Sequence, residues 1–256
     1  MSKRNDIQQQ KRSFAEIVIM LDLPQHIHLV FILTTLMAFV FVAMAGLFSK
    51  EKKIQRRSNA IALVVLLWLI FQSTLSLNKW YMDRNAMPPH MLFPLITSIV
   101  VLTSLFIFKS GQRWIDGISL SVFTWIHVVR LPVELCLFWL ATQKQLPWSM
   151  TFEGYNYDII FGITAPVMAL LYFNFKKISK KVMLIWNVLG LISVLMVIIR
   201  GIGAFPSPVQ LWDFSQPNYA MMHFPFIWLP AFLVPVVILA HLTAIRRLRR
   251  EMRTHS

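Results

Sequence analysis

The chain has 256 residues, of which 57% are hydrophobic and only 14% are charged. Soluble domains carry about 25% charged residues, so this chain has too little polar surface to cover a globule in water. Its 25 Lys and Arg against 11 Asp and Glu give a net charge of +14. Because the basic residues gather in short segments between apolar runs, they indicate contact with anionic headgroups and exclude nucleic acid as a partner.

The N-terminal segment, residues 1–25, is predicted to be a polar arm followed by a short helix. Ser13 and Glu16 have capping-box spacing, and apolar residues follow at helical intervals up to Leu21, before Pro24 ends the run. This pattern predicts an amphipathic helix lying in the membrane interface. The segment is polar for too long to be a cleaved signal peptide, so we expect the first apolar run to remain in the mature protein.

Seven apolar runs predict an all-α membrane protein, a bundle of seven transmembrane helices over residues 26–245. The runs are 27–48, 59–78, 91–108, 117–141, 158–175, 182–200 and 223–245. Each can cross about 30 Å of hydrocarbon at about 1.5 Å per residue. Continuous apolar runs favour helices over the alternating strands of a barrel.

The distribution of Lys and Arg predicts the orientation of the bundle. The segments 49–58, 109–116, 176–181 and the tail 246–256 hold sixteen of them, whereas the N-terminus and the other loops hold seven. The positive-inside rule therefore places the basic tail in the cytoplasm and the N-terminus outside, in a multi-pass protein of the inner (plasma) membrane.

The fourth run carries a polar stripe. His127, Arg130 and Glu134 fall on one face of a helix, and Arg130 and Glu134 have the i,i+4 spacing of a direct ion pair. Arg130 lies about 16 Å deep, where a charge costs on the order of 3 kcal/mol or more unless it faces the bundle interior or a wet cavity. The stripe predicts either a ligand or proton site or an ion pair that locks helix packing.

Two external loops supply the remaining candidate ligand residues. Glu153 and Asn156 are predicted to face a ligand from the 148–158 loop, while Asp158 is expected to cap the helix that follows it. Arg200, at the external end of the sixth run, would either extend outward or face the same external polar pocket as these loop residues. Residues 205–219 form a long aromatic and proline-rich loop, read as a lid. Its polar candidates are Gln216 and Asn218.

Three prolines five residues apart mark the seventh run. Pro225, Pro230 and Pro235 are expected to kink or unwind that helix and to free carbonyls toward a neighbour or a cavity. Broken helices of this kind line binding sites, serve as hinges, or are simply static.

The leading hypothesis is an outward-facing pocket that recognises a small or amphipathic anionic ligand for transport or sensing. Arg130 and Glu134 would form the floor of this pocket. One alternative is a membrane-embedded, metal-dependent enzyme acting on lipid, and another is a ligand-free subunit or assembly factor with a membrane protein partner. No cofactor is predicted, and the low-ranking metal candidates are His90, His223 and Asp83.

Several chemistries are excluded by what the sequence lacks. No lysine follows Lys181, so the last run cannot form a retinal Schiff base. The single cysteine, Cys136, excludes an intrachain disulfide and a cysteine metal cluster. His241 stands alone in the last run, unlike the paired histidines of seven-span metal hydrolases. P-loop, dinucleotide-binding, G-x-S-x-G and C-x-x-C motifs are all missing.

Overall fold

The computed structural model describes residues 23–49 and 51–253, and within these ranges the protein is helical, with no strand. The interfacial helix predicted from Ser13 to Leu21 lies outside the described residues. The all-helical prediction is confirmed.

The described residues form nine α-helices, which are joined by loops and by turns of 3₁₀- and π-helix. The α-helices are α1 (Gln25–Leu47), α2 (Lys52–Leu77), α3 (Leu92–Ile107), α4 (Lys109–Gly117), α5 (Leu120–Trp125), α6 (Arg130–Thr142), α7 (Asp158–Ala169), α8 (Lys180–Gly203) and α9 (Val234–Arg253). A 3₁₀ turn, Ile126–Val129, joins α5 to α6, and π-helical turns follow α7 at Leu170–Asn174 and precede α9 at Leu229–Leu233.

Within residues 23–49 and 51–253, five helical segments are long and apolar enough to cross a membrane. They are Gln25–Leu47, Lys52–Leu77, Leu120–Thr142, Lys180–Gly203 and Leu229–Arg253. A sixth is obtained if α3 and α4, which meet at 87°, count as one span, and Asp158–Asn174 is apolar but shorter. The protein is therefore a helical membrane protein with five to six candidate spans, and seven crossings stay a prediction.

The last predicted span differs from the structure at both ends. Residues 223–227 form turns rather than helix, and α9 continues through the predicted basic tail to Arg253. Pro235 has no N–H to donate to the carbonyl of Ala231, as the α-helical pattern would require. That carbonyl instead accepts hydrogen bonds from Trp68 Nε1 and Ser98 Oγ, both at 3.0 Å. The freed carbonyl thus joins α9 to α2 and α3.

The loops gather at two opposite ends of the bundle. At the basic end, residues 51–57, 109–119, 175–180 and 245–253 meet: Arg246 pairs with Asp116 at 3.1 Å, and Lys180 pairs with Glu251 at 3.0 Å. At the loop end, residues 78–91, 143–157 and 204–228 meet through hydrogen bonds such as Tyr219 N–H to the carbonyl of Gln145, at 3.1 Å. The segments richest in Lys and Arg therefore share one end.

The core is built around the Leu229–Arg253 segment, which is the most buried of the candidate spans. It packs mainly on α8, while α1 packs on α2 and α6, and α6 packs on α7. Apolar side chains point outward along the other spans, which is the pattern of helices solvated by lipid. Polar side chains inside this bundle must consequently find partners among themselves.

Candidate functional site

A cluster of polar side chains lies buried where α6, α7, α8 and α9 meet, and we call it the polar network. Its members are His127, Arg130, Glu134, Asn156, Asp158, Asn187, Ser193 and His241. All except Ser193 are buried, with none more than 7% exposed. Burial of so many ionisable groups at membrane depth is costly and is typical of sites retained for function.

The guanidinium of Arg130 pairs with the carboxylate of Asp158. Arg130 Nε donates to Asp158 Oδ2 at 2.8 Å, and Nη2 donates to Oδ1, which makes the pair bidentate. The expected i,i+4 pair with Glu134 is not formed, since the carboxylate of Glu134 bonds to Asn156 instead. The predicted pairing was therefore wrong, although Arg130 does face the bundle interior.

Asp158 reaches Arg130 because α7 approaches the start of α6 very closely. A Cβ at Gly162 would lie 2.8 Å from the backbone nitrogen of Leu131, so only glycine fits this crossing. The prediction that Asp158 caps α7 was also wrong. Its carboxylate instead accepts from Arg130 and from Ser193 Oγ at 2.6 Å, while the first N–H of α7 is bonded by the side chain of Asn156.

His241 of α9 links Arg130 to α8. Arg130 Nη1 lies 2.9 Å from His241 Nε2, and His241 Nδ1 lies 3.0 Å from Asn187 Oδ1. Because an arginine can only donate, Nε2 is assigned as the acceptor and Nδ1 as the protonated nitrogen that donates to Asn187. Gly190 makes room for this ring, since a Cβ there would lie 2.4 Å from His241 Cε1.

Three polar atoms of the polar network have no hydrogen-bond partner. Glu134 Oε1 accepts from Asn156 Nδ2 at 2.7 Å, but Glu134 Oε2 bonds to nothing. His127 stacks on His241 with ring centroids 4.0 Å apart, and both of its ring nitrogens are unpartnered. Unmet donors and acceptors of this kind are rare in folded proteins and point to a site that binds something.

Asn156 connects the two carboxyl groups. Its Nδ2 donates to Glu134 and to the carbonyl of Met150 at 3.0 Å, while its Oδ1 accepts from the backbone N–H of Asp158 at 3.0 Å. Of the eight predicted ligand residues, the structure thus brings together His127, Arg130, Glu134 and Asn156.

The other four predicted residues lie elsewhere. Glu153 is exposed, and the guanidinium of Arg200 lies over the ring of Tyr155, 4.4 Å from its centroid. Gln216 Nε2 donates to the carbonyls of Ala141 and Leu146. Asn218 is fully buried beside a separate cavity of about 50 Å³.

The predicted lid packs on the end of α6. The final carbonyls of a helix lack intrahelical partners, and Gln216 satisfies that of Ala141 at 2.9 Å. Ser149 Oγ donates to Asp213 Oδ2 at 2.6 Å, which fixes the loop to the neighbouring segment. The loop covers this end of α6, and Gln216 and Asp213 bond within the protein, whereas the buried Asn218 Oδ1 has no hydrogen-bond partner among the described residues.

Of the three metal candidates, Asp83 and His90 line one cavity, whereas His223 is not among its lining residues. His90 stacks on Trp80 and bonds to its carbonyl at 2.8 Å, while Asp83 Oδ1 accepts from the N–H of Asn85. Burial, and then the charge of Arg84, lower the pKa of His223 to about 4. Among the residues that the structure describes, no group of three or more His, Cys, Asp or Glu side chains could hold a metal ion.

Sequence reasoning missed three members of the polar network. His241 was noted only as solitary, Asn187 and Ser193 were not singled out, and each lies inside an apolar run. These residues could have been found because they are polar positions inside apolar runs, and a polar side chain inside a membrane helix needs a partner on another helix. Asn187 and Ser193, with Gly190 between them, are spaced to share one face of α8.

A family model described as Domain of unknown function (DUF8737) matches residues 87–249, more than half of the chain. This range includes every member of the polar network. The comparisons with curated proteins and with solved structures gave no match.

Proposed function

The chain belongs to the family described as Domain of unknown function (DUF8737), and from that premise we propose that it is a membrane transporter or sensor whose polar network binds and releases a proton. The observation that carries this proposal is a pair of buried ionisable groups beside the Arg130–Asp158 ion pair whose hydrogen-bonding capacity is not filled: Glu134 at Oε2, and His127 at both ring nitrogens.

Charge balance favours a proton over an anion as the bound species. The single positive charge of Arg130 is already matched by Asp158 through two hydrogen bonds. An anionic ligand would have to displace that carboxylate. What the polar network adds beyond the pair is a carboxyl group and two imidazoles, all of which accept protons.

The contacts between the members form a continuous series. Glu134 bonds to Asn156, Asn156 bonds to Asp158, and Asp158 pairs with Arg130. Arg130 in turn contacts His241, which stacks on His127. Residues 127 to 134 cover about 10 Å of the bilayer normal at about 1.5 Å per residue. Series of carboxylates and histidines at this depth support proton relays in pumps and transporters.

The ligand whose transport or sensing is coupled to this proton would enter from the loop end. We place the loop end outside and the basic end in the cytoplasm of the inner membrane, following the excess of Lys and Arg. The loop 204–228 would then be the external cover of the bundle.

Infrared difference spectroscopy tests the proposal on the purified protein. The band of the protonated carboxyl group is recorded from pH 4 to pH 10 for the wild type and for Glu134→Gln. Subtracting the spectrum of Glu134→Gln from that of the wild type isolates the band of the Glu134 carboxyl group. Glu153→Gln, which changes an exposed carboxyl group at the loop end, is the matched control. We expect the isolated band to change with pH.

A band that stays constant over this whole range would show that Glu134 keeps one protonation state, and the proposal would fail. A difference spectrum identical to that of Glu153→Gln would count against it equally.

A further inference from the structure

An apolar groove runs along the surface between α2 and α3, and the Leu229–Leu233 turn and α9 lie beside it. Its volume is about 180 Å³. The walls are made by Ile61, Val64 and Trp68 of α2 and by Val101 and Leu105 of α3, and the floor is made by the segment around Phe232. Val64 and Val101 are 64% and 54% exposed, so the groove opens sideways toward the lipid.

The polar groups in the groove wall are already satisfied. Ser98 Oγ and Trp68 Nε1 both donate to the carbonyl of Ala231, and Thr97 Oγ1 donates to the carbonyl of Phe93. The groove therefore presents hydrocarbon to whatever enters it. An apolar cavity of about 150 Å³ holds a benzene molecule, so this groove has room for part of an acyl chain.

The groove ends at a positively charged surface. Trp114 of α4 lines its lower end, and α4 turns away from α3 by 87°, across the basic end of the bundle. Arg57 lies one helical turn before Ile61, on the same face of α2. Its guanidinium donates to the carbonyl of Ser110 on α4, one helical turn before Trp114, so its charge lies next to the end of the groove that Trp114 lines.

Among the described residues, the acidic side chains of the basic end are Glu51, Asp116 and Glu251, and Glu251 pairs with Lys180. Asp116 of α4 is engaged by Arg246 and Arg250, while Arg57 bonds to a main-chain carbonyl, which carries no formal charge. The exposed Arg113 adds a second positive charge on α4. A basic mouth at the end of an apolar channel matches a phosphate group joined to a hydrocarbon chain.

We propose that this groove is a binding site for an anionic glycerophospholipid, with one acyl chain between α2 and α3 and the phosphate against Arg57. The site is independent of the polar network and goes beyond the proton-binding function. A bulk lipid tail would fill the groove without preference for a headgroup, so the charge preference is the distinguishing property.

Native mass spectrometry of the purified protein with added phosphatidylglycerol or phosphatidylcholine of identical chains provides the test. The wild type is expected to retain phosphatidylglycerol in preference to phosphatidylcholine. Arg57→Gln should reduce phosphatidylglycerol retention by about fivefold, the order expected for one arginine near an anionic headgroup, while Arg57→Lys should keep it. Arg249→Gln, an exposed basic residue of the same end, is the matched charge control.

Val101→Trp should fill the groove and lower the retention of both lipids. Val100→Trp changes a neighbouring residue that is 62% exposed and does not line the groove, so its retention should match that of the wild type. Equal retention of the two lipids by the wild type would overturn the proposal. So would equal behaviour of Val101→Trp and Val100→Trp, or of Arg57→Gln and Arg249→Gln.

Discussion

Arg130 of α6 contacts all three of the other helices that meet at the polar network, α7, α8 and α9. It holds Asp158 of α7 through two nitrogens and His241 of α9 through a third, and its Nη2 also lies 3.4 Å from the carbonyl of Gly190 on α8. Its carbon atom Cζ lies 4.9 Å from the ring centroid of Phe161, a cation–π distance. One side chain thus ties α6 to each neighbour in the polar half of the bundle.

Asp158→Ala should lower the stability of the protein by about 3–5 kcal/mol, because it leaves the charge of Arg130 buried without a partner. The thermal unfolding midpoint in detergent should fall by roughly 10 °C. Glu153→Ala, which removes an exposed carboxyl, should change stability by no more than about 0.5 kcal/mol. The double variant Arg130→Met, Asp158→Leu should recover most of the loss, since it removes both charges together. If the single and double variants unfold at the same temperature, the cost does not come from an unpaired charge.

His223 should make the stability of the protein depend on pH. Its pKa is lowered to about 4 in the folded protein, from an ordinary value of 6.5, so in this interval the unfolded chain binds a proton that the folded protein does not. Stability from this residue is therefore fully present above pH 6.5 and decreases as the pH falls toward 4, by up to about 3 kcal/mol.

Thermal unfolding of wild type and His223→Gln from pH 7.5 to pH 4 measures this effect. The variant should lose less stability than the wild type over the interval, and His90→Gln serves as a control histidine at the same end. Parallel curves for His223→Gln and the wild type would contradict the assignment.

The geometry of the polar network is set by how closely its helices cross, and not by the helix propensities of their side chains. Pro132 has no N–H for the carbonyl of Val128, and the chain tightens into the 3₁₀ turn Ile126–Val129 just before it. Gly162 lets α7 approach the backbone at the start of α6, which brings Asp158 to Arg130. Gly190 leaves room on α8 for the ring of His241, which brings α9 to Arg130.

Gly190→Ala should therefore destabilise the protein by about 1–3 kcal/mol, because the new methyl group collides with the ring of His241. Gly201→Ala, on the same helix, is the matched control. Its new Cβ would approach only the flexible end of Met150, at 3.2 Å, and alanine favours the helix. We expect Gly201→Ala to unfold at the wild-type temperature or slightly above it. Equal losses in the two variants would show that the collision with His241 is not the cause.

Considered as a whole, the molecule shows which features could be predicted from the sequence. The apolar runs predicted the helices, because hydrocarbon requires every backbone group to be bonded within its own segment. The inward orientation of Arg130 was predictable because a charged side chain, like an unpaired backbone group, costs free energy when it faces hydrocarbon. Its partner was not, since Glu134 is the nearest carboxylate along the helix whereas Asp158 becomes near only after α7 packs at Gly162.

The orientation of the whole molecule has a direct test. Cys136 is fully buried, so the native protein should give little background with a membrane-impermeant maleimide. Ser215→Cys introduces a thiol at an exposed position of the loop end, and Ser110→Cys does so at an exposed position of the basic end. In intact cells we expect labelling of Ser215→Cys, and labelling of Ser110→Cys only after permeabilisation. The reverse pattern would invert the proposed topology.

The ion pair between Arg130 and Asp158 also bears on how the protein is made. The two residues lie 28 positions apart and emerge from the ribosome one after the other. Each charge alone would cost on the order of 3 kcal/mol at the centre of the bilayer, and Asp158–Asn174 is shorter than the candidate spans. Insertion as a hairpin lowers this cost, because the attraction between the two charges offsets part of the free energy of removing them from water. We therefore expect the segment that contains Arg130 to wait at the insertion machinery until α7 has been synthesised.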